Sequence, residues 1–193
     1  MKIALFGGSF DPPHAGHLAI VRKALQELPI DLLIVVPTFR NPFKSGFTAP
    51  PHLRLRWLRH AVRHERVRIC DYEVRRAEPT YTIETVEYLR RRYRPKKIYL
   101  IVGGDNLPQI TKWKNYRRLR KLVEVVVATR KGFRIPKKYR TLTIREPISS
   151  TRLRQDPKRR FLPPLIARQI RSFYLKAPAK TPRSGSAGDR RRS

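Results

Sequence analysis

Of 193 residues, 45 are Lys or Arg and 14 are Asp or Glu, a formal charge of +31, and 40% are hydrophobic, enough for one ordinary core plus tails. This charge attracts polyanions (nucleotides, RNA, DNA or anionic membrane surfaces) without choosing among them. The single cysteine, Cys70, excludes an internal disulfide, no apolar run approaches a membrane span, and Gly7-Gly8 and Asp11 break the N-terminal run before a signal-peptide core could form, so a cytoplasmic protein is expected.

In chain order, residues 2–6 read as a first strand that runs into a glycine turn. Residues 16–28 read as a helix with Leu18, Val21, Leu25 and Leu28 on one face. A second buried strand, 32–36, is stopped by Pro37, and a loop rich in Pro and Gly follows. Residues 52–64 are helical with Leu55, Leu58 and Val62 inward, and 67–70 form a short strand. A helix over 82–93 turns Ile83, Val86 and Leu89 inward. Strands are expected at 98–102, 122–128 and 142–144, and helices at 150–154 and 165–174. Residues 1–176 make one domain. Residues 177–193 lack apolar periodicity and read as a disordered basic tail.

Strands that are continuous Val/Ile/Leu runs, alternating with helices, predict a parallel sheet of five to six strands with helices on both faces. In such folds the ligand lies beyond the carboxyl ends of the strands, where strand order reverses. The chemically interesting residues fall there: after the first strand, after Val36 and after Val102.

The string Gly7-Gly8-Ser9-Phe10-Asp11-Pro12-Pro13-His14-Ala15-Gly16-His17 is the most specific feature. Gly7 and Gly8 let backbone approach an anion closely. His14 and His17 lie three apart at a helix start, so both imidazoles face the end that favours phosphate. Taken alone, H-x-G-H could be a glycine-rich turn with two surface histidines. A second phosphate-binding candidate is Ser149-Ser150-Thr151 with Arg154, a helix cap followed one turn later by a guanidinium. Asp105 follows a strand and Gly103, a place from which a carboxylate accepts ribose hydroxyls, although a simple helix cap is the alternative. His52, His60, His64 and Cys70 lack metal-ligand spacing, so no protein metal site is expected, and no Walker A or G-x-S-x-G motif occurs.

The eleven-residue string resembles the signature of the H-x-G-H nucleotidyltransferase superfamily, which implies a Rossmann-like nucleotidyltransferase fold. Within it the chain is most similar to the bacterial nicotinate-nucleotide adenylyltransferase family. Arg54-Leu55 with Trp57-Leu58 resembles its R-L-x-M-L helix, with Trp57 in place of Met. Thr80-Tyr81-Thr82-Ile83-Glu84-Thr85 resembles S-Y-T-x-x-T, and Gly103-Gly104-Asp105 with Trp113 resembles G-x-D…W. Ile148-Ser149-Ser150-Thr151-Arg152-Leu153-Arg154 resembles I-S-S-T-x-I-R. The likeness covers about residues 1 to 175.

The resemblance implies adenylyl transfer from ATP to nicotinate mononucleotide, giving nicotinate adenine dinucleotide and pyrophosphate in NAD synthesis. The acceptor phosphate would attack the α-phosphorus in line, without a covalent intermediate. It implies that His14, His17 and Arg154 are catalytic. Gly7, Gly8, Ser9, Phe10, Gly16, Gly103, Asp105, Ser149, Ser150 and Thr151 would bind ATP. Lys44, Thr82, Ile83, Thr85, Trp113 and Lys114 would serve the acceptor, with Trp113 stacked on the pyridine and backbone N–H groups near Thr82-Ile83 and Lys114 on its carboxylate. Mg²⁺ would arrive bound to ATP. Rival readings are the same chemistry on nicotinamide mononucleotide or phosphopantetheine, and a basic nucleic-acid-binding protein on the same scaffold. RNA binding as a side property and a homo-oligomer are both compatible with the sequence.

Overall fold

The computed structural model describes residues 1–40, 49–130, 134–146 and 148–176. The expected tail, residues 177–193, and Lys44 lie outside the described residues.

Six parallel strands form one sheet: β1 (Lys2–Gly8), β2 (Leu32–Pro37), β3 (Val67–Ile69), β4 (Lys97–Gly103), β5 (Glu124–Arg130) and β6 (Arg140–Ile144). Their order is β3-β2-β1-β4-β5-β6, so the chain reverses direction across the sheet between β1 and β4. Both central strands are covered on two sides, which is why they read as unbroken apolar runs. Alternation then sorts their side chains. Ala4, Phe6, Leu33, Val35, Tyr99 and Ile101 enter one core cluster, and Ile3, Leu5, Ile34, Val36, Ile98 and Leu100 enter the other.

Helix α1 (Ala15–Glu27) closes the first face, with Ala19, Ile20, Val21 and Ala24 buried. Leu18 and Leu25, expected on that face, are only half-buried. The small residues let the helix lie close to the sheet, and the longer ones fall at its margins. Helix α2 (Pro51–Ala61) is shorter than expected and starts on a proline that needs no N–H partner. Helix α3 (Tyr72–Arg76) was not foreseen, being five residues with one buried side chain. Helix α4 (Thr82–Tyr93) buries Ile83, Val86 and Leu89 as expected. Helix α5 (Tyr116–Leu122) occupies a stretch to which the sequence pattern assigns no element, and takes Leu122 from the expected strand. Of its seven residues only Leu119 is buried, too few to show a helical period.

Helix α6 (Ser150–Gln155) and helix α7 (Ala167–Lys176) pack with α2 in a third cluster that contains no strand residue. Its centre is Trp57, 1% exposed, with Phe173 edge-on at 5.5 Å and Tyr174 tilted at 6.0 Å between ring centroids. Burying a side chain of this size contributes roughly 2–3 kcal/mol, so α7 is anchored where it can reach the loop after β1.

Candidate active site

The C-terminal ends of β1 and β4 lie at the strand-order reversal, the place where parallel sheets leave a crevice. Two cavities open there. The larger, about 400 Å³, is lined by Gly7, Gly8, Ser9, Phe10, His14, Gly16, His17, Gly103, Asp105, Ser149, Ser150, Thr151 and Arg154. The smaller, about 150 Å³, is lined by Thr82, Thr85, Trp113 and Lys114, with Thr38, Glu73, Thr80 and Tyr81. Gly7, Gly8, Ser9, Gly103 and Asn106 line both, so the cavities adjoin along the ends of β1 and β4.

The histidines are set by local packing. His14 is the residue before α1, and its backbone N–H donates to His17 Nδ1 at 3.2 Å. That bond makes Nδ1 an acceptor, so the imidazole proton of neutral His17 resides on Nε2. The two rings stack with centroids 3.7 Å apart. Gly16 makes room for this: a Cβ there would lie 3.1 Å from the His14 ring. Phe10, 1% exposed, sits at φ 48 and presents its ring edge-to-face with His17 at 4.8 Å. A left-handed non-glycine residue costs roughly 1–3 kcal/mol. Here it aims an aromatic wall at the catalytic candidate.

Beneath this loop lies a buried charge pair that the sequence did not disclose. Arg54 is 0% exposed, and its guanidinium donates to Ala49 O (3.0 Å), Ser9 O (2.6 Å), Thr38 O (2.8 Å) and Phe39 O (3.0 Å). It therefore fastens the end of β1 to the segment after β2. Burial lowers its pKa, and the nearby Asp11 carboxylate counters that. Asp11 Oδ1 accepts from Ala49 N at 3.0 Å and from the Tyr174 hydroxyl. Burial first, and then Asp11, push the Tyr174 phenol upward, so it stays protonated as a donor. Arg54 lies four residues before Leu58 on the inward face of α2, the one signal in the sequence that could have marked it as buried.

Helix α6 approaches the same loop from the other side. Ser149 caps it, accepting from Arg152 N at 3.3 Å, and Ser150 Oγ donates to Pro12 O at 3.3 Å. Arg154 donates to Asp11 O at 2.9 Å and to Thr151 Oγ1 at 3.0 Å. Two helix starts and three cationic or imidazole side chains thus line one cavity, an environment suited to polyphosphate. Opposite them, Asp105 is exposed and folds back over Gly103, where a Cβ would lie 2.4 Å from its Oδ1. Gly104 N donates to Ala128 O at 2.8 Å, holding the end of β4 to β5.

In the smaller cavity, Thr82 and Thr85 come from the first turn of α4, and Trp113 and Lys114 from the segment ahead of α5. Ile83, expected to serve the acceptor, turns its side chain into the core and lines neither cavity. Glu73, on α3, is the residue not singled out in advance. It is 5% exposed and accepts from Thr85 Oγ1 at 2.6 Å. Burial raises its pKa to about 7, against the Thr85 hydrogen bond and Arg76, which lower it.

Comparison with known proteins agrees with this geometry. Residues 5–156 match the family described as Cytidylyltransferase-like. A protein from Nitratiruptor sp. named probable nicotinate-nucleotide adenylyltransferase is 61% identical over 175 residues, 90% of this chain and 99% of that one. A protein of the same name from Sulfurimonas denitrificans is 47% identical over 180 residues, 93% of this chain and 98% of that one. Among solved structures, Plasmodium falciparum nicotinic acid mononucleotide adenylyltransferase complexed with NaAD superposes with a TM-score of 0.73 at 21% identity, over 90% of this chain and 96% of that one. At that identity it speaks for the shared fold.

Proposed function

The chain belongs to the cytidylyltransferase-like family, and we infer that it catalyses adenylation of nicotinate mononucleotide by ATP, giving nicotinate adenine dinucleotide and pyrophosphate in NAD biosynthesis. The observation that carries this reading is the pair of adjoining cavities, one lined by His14, His17 and Arg154 and the other by threonines and Trp113.

The division of labour follows from the chemistry. The acceptor's phosphate oxygen is already ionised at neutral pH, so no protein base is needed to make it a nucleophile. It attacks the α-phosphorus in line, and pyrophosphate leaves on the far side. The protein's task is to align the two substrates and stabilise charge in the transition state. His17, protonated at Nε2, and His14 would donate to the transferring phosphate. Arg154 with Ser150 and Thr151 would hold the β- and γ-phosphates, and Asp105 the ribose. Trp113 would stack on the pyridine, and backbone N–H groups of Thr82, Ile83 and Lys114 would bind its carboxylate. Lys44 would act near the phosphates.

Mg²⁺ fits a cavity of this composition when carried by the nucleotide. Among the described residues no cluster of three or more His, Cys, Asp or Glu is present to cage a metal. A small hard cation that keeps waters and phosphate oxygens as ligands does not require one. Bound there, it would neutralise triphosphate charge. Among the described residues no helix is long and apolar enough to cross a membrane. We place the enzyme in the cytoplasm.

The test is pyrophosphate release from ATP with nicotinate mononucleotide, nicotinamide mononucleotide and phosphopantetheine in parallel. Nicotinate mononucleotide should be preferred. Equal turnover of nicotinamide mononucleotide would overturn the acceptor assignment.

A further inference from the structure

We propose that Glu73 sets the preference of the acceptor cavity between an acid and an amide on the acceptor's ring, its carboxyl opposing an acceptor carboxylate whenever it is ionised. This deepens the reading given under Proposed function and rests on it.

The geometry is specific. Glu73 is the sole acidic side chain among the described residues lining the smaller cavity, and Lys114 the sole cationic one. Glu73 is nearly inaccessible and held on Thr85 Oγ1, in the first turn of α4, where Thr82 and Thr85 both line the cavity, so it cannot swing away into water. An ionised carboxylate fixed there repels a second one in a medium of low dielectric. A neutral carboxyl does not, and can donate a hydrogen bond. An amide substituent carries no charge, so the ionised form does not repel it and can accept from its N–H.

The groups around Glu73 let it titrate near neutrality. From its own helix, Arg76 favours the ionised form, but Arg76 is also engaged with Glu78 and lies 3.8 Å from Glu84. From α4, Glu84 opposes ionisation and the Thr85 hydroxyl favours it. From α2, which also packs on α3, Arg59 is paired with Asp71 at 3.2 Å. Lys114 faces the cavity but sits over the Tyr81 ring at 4.3 Å. Burial dominates and brings the pKa to about 7. Acceptor acid therefore binds best below that value, and its binding raises the proton affinity of Glu73 in turn.

The experiment measures dissociation constants of nicotinate and nicotinamide mononucleotides for the full chain, from about pH 6 to about pH 8.5, in wild type and in Glu73→Gln. Using the two ligands cancels titration of their shared phosphate. In wild type the acid-to-amide affinity ratio should fall about tenfold as pH rises, the change that corresponds to a pKa moving by about one unit on binding. In Glu73→Gln the ratio should stay flat. A flat ratio in wild type, or an equal fall in Glu73→Gln, overturns the proposal. If Glu73→Gln does not fold, Thr85→Val decides: losing the hydroxyl that favours ionisation should move the midpoint of the ratio upward, and an unmoved midpoint overturns it. Failure is separable from failure of the assigned reaction. Wild type that makes pyrophosphate with nicotinate mononucleotide yet shows no pH-dependent ratio refutes the role of Glu73 alone.

Discussion

The two cavities meet at the ends of β1 and β4 but are built in opposite ways. The larger is built around two short continuous segments, 7–17 and 149–154, which carry its histidines and arginine, with Gly103 and Asp105 completing it from the end of β4. The smaller draws single residues from α3, α4 and the segments after β2 and β4, and its polar surface is mostly hydroxyl. The polyphosphate is the same in every nucleoside triphosphate, so a compact cationic cradle would serve it. An acceptor must be distinguished from near relatives, which calls for shape, stacking and one adjustable charge. The cradle also needs more support, because cations and imidazoles crowd together there. Arg54 and Asp11 supply it from below, where Arg54 gives its donors to backbone carbonyls and offers none to the ligand.

The sharpest way to break this division is on the charged side. Changing His17 to Ala should lower kcat about 100- to 1000-fold, the cost of losing one preorganised donor to a transition state. Circular dichroism should stay close to wild type, and thermal stability should fall only by the loss of the cap bond that His17 Nδ1 accepts from His14 N–H, about 1 kcal/mol. A folded variant with near-normal turnover would end the assignment of His17 to the transition state.

On the acceptor side the next largest effect is on stability. Glu73 has a folded pKa of about 7 against an ordinary 4.5. A carboxyl whose pKa is raised by folding favours the folded state fully below its unfolded value. That contribution is lost as pH rises through the folded pKa. The difference corresponds to about 3 kcal/mol. Urea unfolding at about pH 4.5 and about pH 8 should therefore show wild type losing some 3 kcal/mol more than Glu73→Gln across that interval. Equal losses in the two proteins would mean that Glu73 is solvated as ordinary carboxylates are.

The same contrast explains what could be read from the sequence. The histidine-lined cavity was legible because most of its residues are neighbours in the chain: the turn at Gly7-Gly8, the pair at His14 and His17, and the cap at Ser149 each form a local pattern. The sheet was legible because double burial writes Ile3–Phe6 and Ile98–Val102 as apolar runs. Arg54 and Asp11 were not, since a buried charge looks like a surface charge until its partners, 43 positions apart, are placed beside each other. Glu73 was hidden for a similar reason, on a helix too short to carry a period and twelve residues from Thr85. Helix α5 escaped because only Leu119 of its seven residues is buried, with Tyr116 and Leu122 packed at the margin of the core.

A smaller effect would sharpen the boundary between the cavities. Trp113 lines only the smaller of the two cavities, the one proposed for the acceptor. Changing it to Ala should raise KM for nicotinate mononucleotide about tenfold or more, given roughly 1–3 kcal/mol for stacking a base on an aromatic ring. KM for ATP should move by less than about twofold on the same scale. A matched rise in both would show that the two cavities act as one.

The smallest expected effect concerns the brace under the phosphate loop. Tyr174→Phe keeps the ring that packs against Trp57 and Phe173, and removes only the hydroxyl that donates to Asp11. Asp11 retains its bond from Ala49 N and its proximity to Arg154 Nη1, 4.0 Å from Oδ2. A hydrogen bond to a charged acceptor contributes about 1.5–3 kcal/mol, and the remaining partners should hold the loss near the lower figure. The urea midpoint should fall with its slope unchanged. Because Arg154 is held through the backbone carbonyl of Asp11 and through Thr151, not through the tyrosine, kcat/KM should fall by no more than a few-fold. A loss of activity as large as that of His17→Ala would mean that the docking of α7 governs the geometry of the histidines, and the separation of brace from cradle would fail.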